Sequence, residues 1–135
     1  MSVSIRRAEI PRTSGAPAEA RRMVDALPLN ADTAEAVRLA VSELVSNAVM
    51  HGTGTIAVAL DVDTEGVHVT VSDNGVGFHH SGAPVMPPPD SPGGRGLALV
   101  AMLSARWGVL PGDPTEVWCL ITPRGAPLGG PVTRT

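Results

Sequence analysis

The sequence predicts a two-layer α/β sandwich, and three observations carry that prediction. Several short segments alternate apolar and polar residues, the signature of half-buried strands. Other segments repeat apolar residues at helical spacing. Turn chemistry separates neighbouring strand patterns, so strands come in hairpin pairs with helices inserted between the pairs. Such an order gives an antiparallel or mixed sheet with helices on one face.

Taken along the chain, Ser2–Ile10 reads as a first strand, with apolar positions at Val3 and Ile5. Pro11–Gly15 breaks it. Pro17 suits the first turn of a helix running to about Leu27, and Pro28 stops that helix. Asp32-Thr-Ala-Glu35 has the form of a capping box, which predicts a long helix from about Thr33 to Met50. Its apolar stripe is Val37, Val41, Leu44, Val45 and Ala48, and Gly52 and Gly54 end it. Thr55–Val62 and Gly66–Ser72 alternate as strands, and Asp63-Thr-Glu-Gly66 between them is turn chemistry. Arg95–Ser104 reads as a third helix with Leu97, Val100 and Leu103 inward. Arg106–Leu110 and Glu116–Thr122 form a last strand pair.

These elements fill residues 1–122 as one domain, a size that suits the 135-residue chain. His79–Gly94 holds five prolines with several Gly and Ser, so a loop is expected there. Residues 123–135 are Pro/Gly-rich and are expected to form a tail. Hydrophobic residues make up 43% of the chain but aromatics only 2%, so the core must be built from Val, Leu, Ala and Ile, with Trp107, Trp118 and Cys119 also expected inside.

Composition narrows the function. A formal charge of -3 gives no footprint for direct nucleic-acid binding and none for an anionic membrane surface. No apolar run is long enough to span a bilayer, and the start lacks the apolar stretch of a signal peptide. The single cysteine fits a reducing compartment, so a cytoplasmic location is expected. The chain contains no lysine, which excludes a P-loop, where Lys reaches the terminal phosphates.

Three segments carry chemistry. Glu43 and Asn47 lie four residues apart and project from one side of the long helix, at the margin of its apolar stripe. Taken alone, such a pair is an ordinary surface feature of helices. Asp73-Asn-Gly-Val-Gly77 ends a strand with a carboxylate and a glycine turn. Gly75 and Gly77 let the backbone approach a flat ligand, and Asp73 can accept a hydrogen bond from an exocyclic amine; a tight turn reads equally well. Gly93-Gly-Arg-Gly96 leads directly into a helix, where free N–H groups and the helix dipole favour an anion, and Arg95 can add a charge-assisted contact. A hinge is the plainer reading of that run. In this order, on helix, strand end and helix start, the three together meet the needs of an ATP site.

The same residues resemble a family. Glu43-Leu-Val-Ser-Asn-Ala-Val-Met-His-Gly52 resembles the asparagine box of the GHKL ATPase superfamily. Val71-Ser-Asp-Asn-Gly-Val-Gly-Phe78 looks like its first glycine box, and Gly93-Gly-Arg-Gly-Leu-Ala-Leu-Val100 like its second. The detail is closer to the bacterial anti-sigma factor/serine-protein kinase branch, with Arg106-Trp-Gly108 similar as well, and the likeness runs from about Ala18 to Ile121.

That resemblance implies a Bergerat-type sheet and the cofactors ATP and Mg²⁺. It implies that Asn47 ligates Mg²⁺ and that Glu43 is the general base toward a serine hydroxyl. Asp73 would accept the adenine amino group, with Gly75 and Gly77 shaping the adenine pocket. Gly94, Arg95, Gly96 and Leu97 would face the phosphates, and residues 79–94 would be the lid. The implied partners are a sigma factor and a STAS-type anti-anti-sigma factor, and relatives in this branch look like homodimers. Two departures stand out: Pro111-Gly-Asp-Pro-Thr-Glu116 lacks the Gly-Lys that often precedes the final strand, and the lid is rich in proline. The expectation is therefore a protein-serine kinase and anti-sigma factor. The alternative is a module that binds ATP and a partner without phosphoryl transfer.

Overall fold

The computed structural model describes residues 2–51, 53–73, 95–110 and 115–123. Five strands, β1 (Ser2–Ile10), β2 (Ile56–Asp63), β3 (Val67–Asp73), β4 (Arg106–Leu110) and β5 (Thr115–Ile121), form one sheet in the order β1-β2-β3-β5-β4. Every neighbouring pair is antiparallel, so the sheet is wholly antiparallel. Three helices, α1 (Ala16–Val24), α2 (Ala31–His51) and α3 (Arg95–Leu103), complete the two-layer sandwich.

Strand alternation decides which face the helices cover. Val58, Leu60 and Val62 of β2, Val67, Val69 and Val71 of β3, and Val117, Cys119 and Ile121 of β5 are buried. They join one core with Val37, Val41, Leu44, Val45 and Ala48 of α2, the stripe expected from the sequence. Leu97 and Val100 of α3 enter the same core, with Leu103 packed at its margin. Helix α2 packs on β3 and lies between α1 and α3.

Four details depart from the sequence reading. Helix α2 starts one residue past Asn30, not at an Asp32 cap. The Asn30 Oδ1 accepts the Thr33 N–H at 2.8 Å, and the Asn30 carbonyl accepts the Ala34 N–H at 2.9 Å. An N-cap side chain satisfying the third helical N–H does this job. Strand β1 is present, but its register shifts between Ser2 and Ser4, and its inward residues are Ala8 and Ile10; Ile5 is 44% exposed on the other face. Helix α1 ends at Val24, earlier than the expected Leu27, although Leu27 is buried. Trp107 packs against the core, but Trp118 lies on the sheet face opposite the three described helices, where its indole stands over Gly108 of β4.

The β2–β3 turn is built by Asp63. Its Oδ1 accepts the N–H groups of Glu65 (2.8 Å) and Gly66 (3.2 Å). Gly66 has φ 150° and faces the Ile121 carbonyl, so a side chain there would meet both a strained backbone and β5.

Candidate functional site

The long helix carries the first two site residues. Glu43 and Asn47 are both half-buried, one turn apart, beside the buried Leu44, Val45 and Ala48. Polar groups at the edge of a core need polar partners, so their placement is not neutral for folding. Asp73 is the last residue of β3, and alternation from Val69 and Val71 puts it on the helix-facing side. Across the sheet it pairs with Thr115, which is 5% exposed. Thr115 is a buried polar residue that the sequence reading missed, because the last strand was begun one residue late. Its signal was available: it stands two residues before Val117 and so shares the inward face.

Helix α3 closes the site from a third direction. Gly96 stands in its first turn, and that turn contains no acidic residue of its own. The carboxylate of Glu43 reaches across from α2 and lies against Gly96: a Cβ placed on Gly96 would overlap Glu43 Oε1 and stand 3.2 Å from its Cδ. A negative charge near the start of a helix is favoured by the exposed N–H groups and the dipole there. Leu97 is 1% exposed, so its side chain belongs to the core and only its backbone is free to face a ligand.

The structure thus unites Glu43 and Asn47 by helical spacing and Glu43 with Gly96 by contact, and sets Asp73 on the same side of the sheet as α2. Gly75, Gly77 and Gly94, the residue 79–94 lid and the side chain of Arg95 lie outside the described residues. Two grooves of about 610 Å³ and about 780 Å³ sit elsewhere, one on the sheet face opposite the described helices around Arg7, Ala59 and Thr70, the other beside Arg21 and Glu35. Neither contains Glu43, Asn47 or Asp73, and the Glu43 carboxylate seated against Gly96 at the α2–α3 contact is the better guide to chemistry.

Mg²⁺ fits the donors present. It is a hard ion that takes oxygen ligands, keeps several waters and needs few protein groups. Asn47 offers an amide oxygen, and the Glu43 carboxylate lies one turn away. A separate cluster, Asp63, Glu65 and His68, occupies the β2–β3 turn at the opposite end of β3 from Asp73. His68 Nε2 lies 3.2 Å from Asp63 and 3.7 Å from Glu65, and Arg106 holds Glu65 at 2.8 Å, so these groups already pair with one another.

An antiparallel sheet covered on one face by its helices, with a carboxylate of the long helix seated against the start of a second helix, defines a class: a two-layer α/β sandwich with a polar site at the α2–α3 contact. The chain belongs to the histidine kinase-like ATPase domain family, whose model matches residues 7–117. That membership carries ATP as the ligand. Among solved structures, the fold is similar to that of the RsbU and RsbW domains of Rv1364c from Mycobacterium tuberculosis, with a TM-score of 0.58 at 18% identity. The likeness covers 89% of this chain and 32% of the other, so the chain spans about a third of the length of that solved chain. No curated protein is a significant match to the sequence. Among the described residues, no helix is long and apolar enough to cross a membrane.

Proposed function

We propose that this domain is an ATP-dependent protein-serine kinase of the anti-sigma type, which phosphorylates a STAS-type anti-anti-sigma factor and sequesters a sigma factor. The observation that carries the reading is the Glu43 carboxylate, one turn from Asn47 and seated against Gly96 at the start of α3. A half-buried carboxylate in that position would take the proton of a serine hydroxyl as it attacks. Asn47 would hold Mg²⁺ through its side-chain oxygen. The ion, when bound, neutralises charge that builds on the phosphates during transfer. The first-turn N–H groups around Gly96 and Leu97 would face the phosphates, and Asp73 would fix the adenine amine from the end of the central strand β3. Gly75, Gly77, Gly94 and Arg95 complete the proposed nucleotide contacts. The protein acts in the cytoplasm, as a homodimer, on protein partners.

The test is phosphoryl transfer. The protein is mixed with labelled ATP, Mg²⁺ and STAS-domain antagonists from the same cell. The expected product is phosphoserine on one antagonist, lost with Glu43→Gln. Tight ATP binding without phosphoserine on any antagonist would replace this reading with a module that uses ATP only as a conformational ligand.

A further inference from the structure

Gly96 is the second residue of α3, in its first turn. Its backbone does not call for glycine: among the described residues, positive φ occurs at Gly54 and Gly66 only. What fills the space beside it is Glu43. A Cβ at position 96 would overlap Glu43 Oε1, would crowd Cδ at 3.2 Å, and would meet Cβ of Glu43 at 3.5 Å, an ordinary contact. The conflict is therefore confined to the carboxylate end of one flexible side chain. An added methyl would leave both helix backbones in place and turn the Glu43 carboxylate away.

We infer that Gly96 is a positioning residue for Glu43: its missing side chain is the space that holds the carboxylate at the start of α3. This rests on the kinase reading above for its catalytic consequence, and on geometry alone for the coupling between the two residues. It separates two roles a glycine can have at this helix start. A glycine that admits phosphate affects nucleotide affinity whatever stands at position 43. A glycine that seats the base affects transfer, and only while Glu43 is present.

The experiment compares the whole protein as wild type, Gly96→Ala, Glu43→Ala and the double variant. Gly96→Ala is expected to lower kcat for phosphoryl transfer by about 10²–10⁴-fold, the usual contribution of a general base. The Kd for ATP should change far less than kcat, because the phosphate contact proposed for residue 96 is its backbone N–H, which alanine keeps, and a loss of transition-state contacts alone leaves ground-state binding in place. The double variant should be no slower than Glu43→Ala. A Gly96→Ala protein with wild-type kcat overturns the inference, as does equal loss of ATP affinity in both position-43 backgrounds. Amide NMR spectra read the coupling without catalysis. Glu43→Gln should move the residue-96 amide resonance when residue 96 is glycine and leave it in place when it is alanine. A residue-96 amide indifferent to Glu43→Gln in the otherwise wild-type protein also overturns the inference. A wild type that binds ATP and transfers nothing would remove the kinase reading and leave the spectra to decide the coupling.

Discussion

Asn30 closes the N-terminus of α2 by accepting the Thr33 N–H at 2.8 Å. This places the start of the helix that carries Glu43 and Asn47. Asn30→Ala should destabilise the fold by about 1 kcal/mol, the usual cost of losing an N-cap. Asp32→Ala should cost less than half of that, because Asp32 lies inside the first turn and its charge acts only through the helix dipole. Urea unfolding of the two variants checks the order; a larger loss for Asp32→Ala would return the cap to the position the sequence pattern indicates.

The core of the fold was legible because period and burial agree. Every residue of the α2 stripe read from helical spacing is buried, as are the alternating valines of β3. Both hairpin partners and the Asp63 turn were readable for the same reason, since an Asp-x-x-Gly turn acts locally. Boundaries were less so. Asn30 and Asp32 are both good caps, and the choice between them depends on where α2 docks, which no local pattern encodes. Trp118 was misplaced because an aromatic in a strand is ordinarily read as core, whereas here the inward positions of β5 are taken by Val117, Cys119 and Ile121. The contact of Glu43 with Gly96 joins residues far apart in sequence, so a sequence can offer both residues without showing that they touch.

Asp73 provides the sharpest check on the nucleotide. At the end of β3, on the helix-facing side, it is proposed to accept the adenine amine. Asp73→Asn keeps the shape and removes the charge. Hydrogen bonds to charged groups are worth about 1.5–3 kcal/mol, so ATP affinity should fall by roughly 10- to 150-fold. Calorimetry with ATP and GTP checks this. The loss should be confined to ATP, because a purine lacking that amine does not use the contact. An equal loss for both nucleotides would assign Asp73 to the fold through its pairing with Thr115.

On the sheet face opposite the described helices, Gly108 and Trp118 sit opposite each other in the β4–β5 pair. A Cβ on Gly108 would stand 2.8 Å from the indole Nε1 and 2.9 Å from two ring carbons. The whole ring must move to admit it, unlike the free end of a glutamate. Gly108→Ala should therefore cost about 1–3 kcal/mol, as overpacking does. Trp118 fluorescence, isolated in a Trp107→Phe background, should shift to the red as the ring leaves its seat. An unshifted spectrum with unchanged stability would show that the ring is held from elsewhere.

Burial pushes the Cys119 thiol up from 9.0 to about 11, opposed weakly by its hydrogen bond with Ser104. A thiol raised in this way keeps its proton in the folded state after the unfolded chain has lost its own. Its contribution to stability is therefore intact below about pH 9, falls as pH rises from there, and levels off past about pH 11. A rise of two pKa units corresponds to a loss of about 3 kcal/mol. The chain has no tyrosine and no lysine, the side chains that otherwise titrate in that window. Urea unfolding between about pH 8 and pH 11 should show this alkaline limb in the wild type and a nearly flat profile in Cys119→Ala, whose stability will be lower throughout from the lost packing. The folded wild type should also react slowly with Ellman's reagent at about pH 8, because the thiolate is the nucleophile and burial suppresses it. Rapid labelling of the folded protein, or an alkaline limb that survives in Cys119→Ala, would place the titrating group elsewhere.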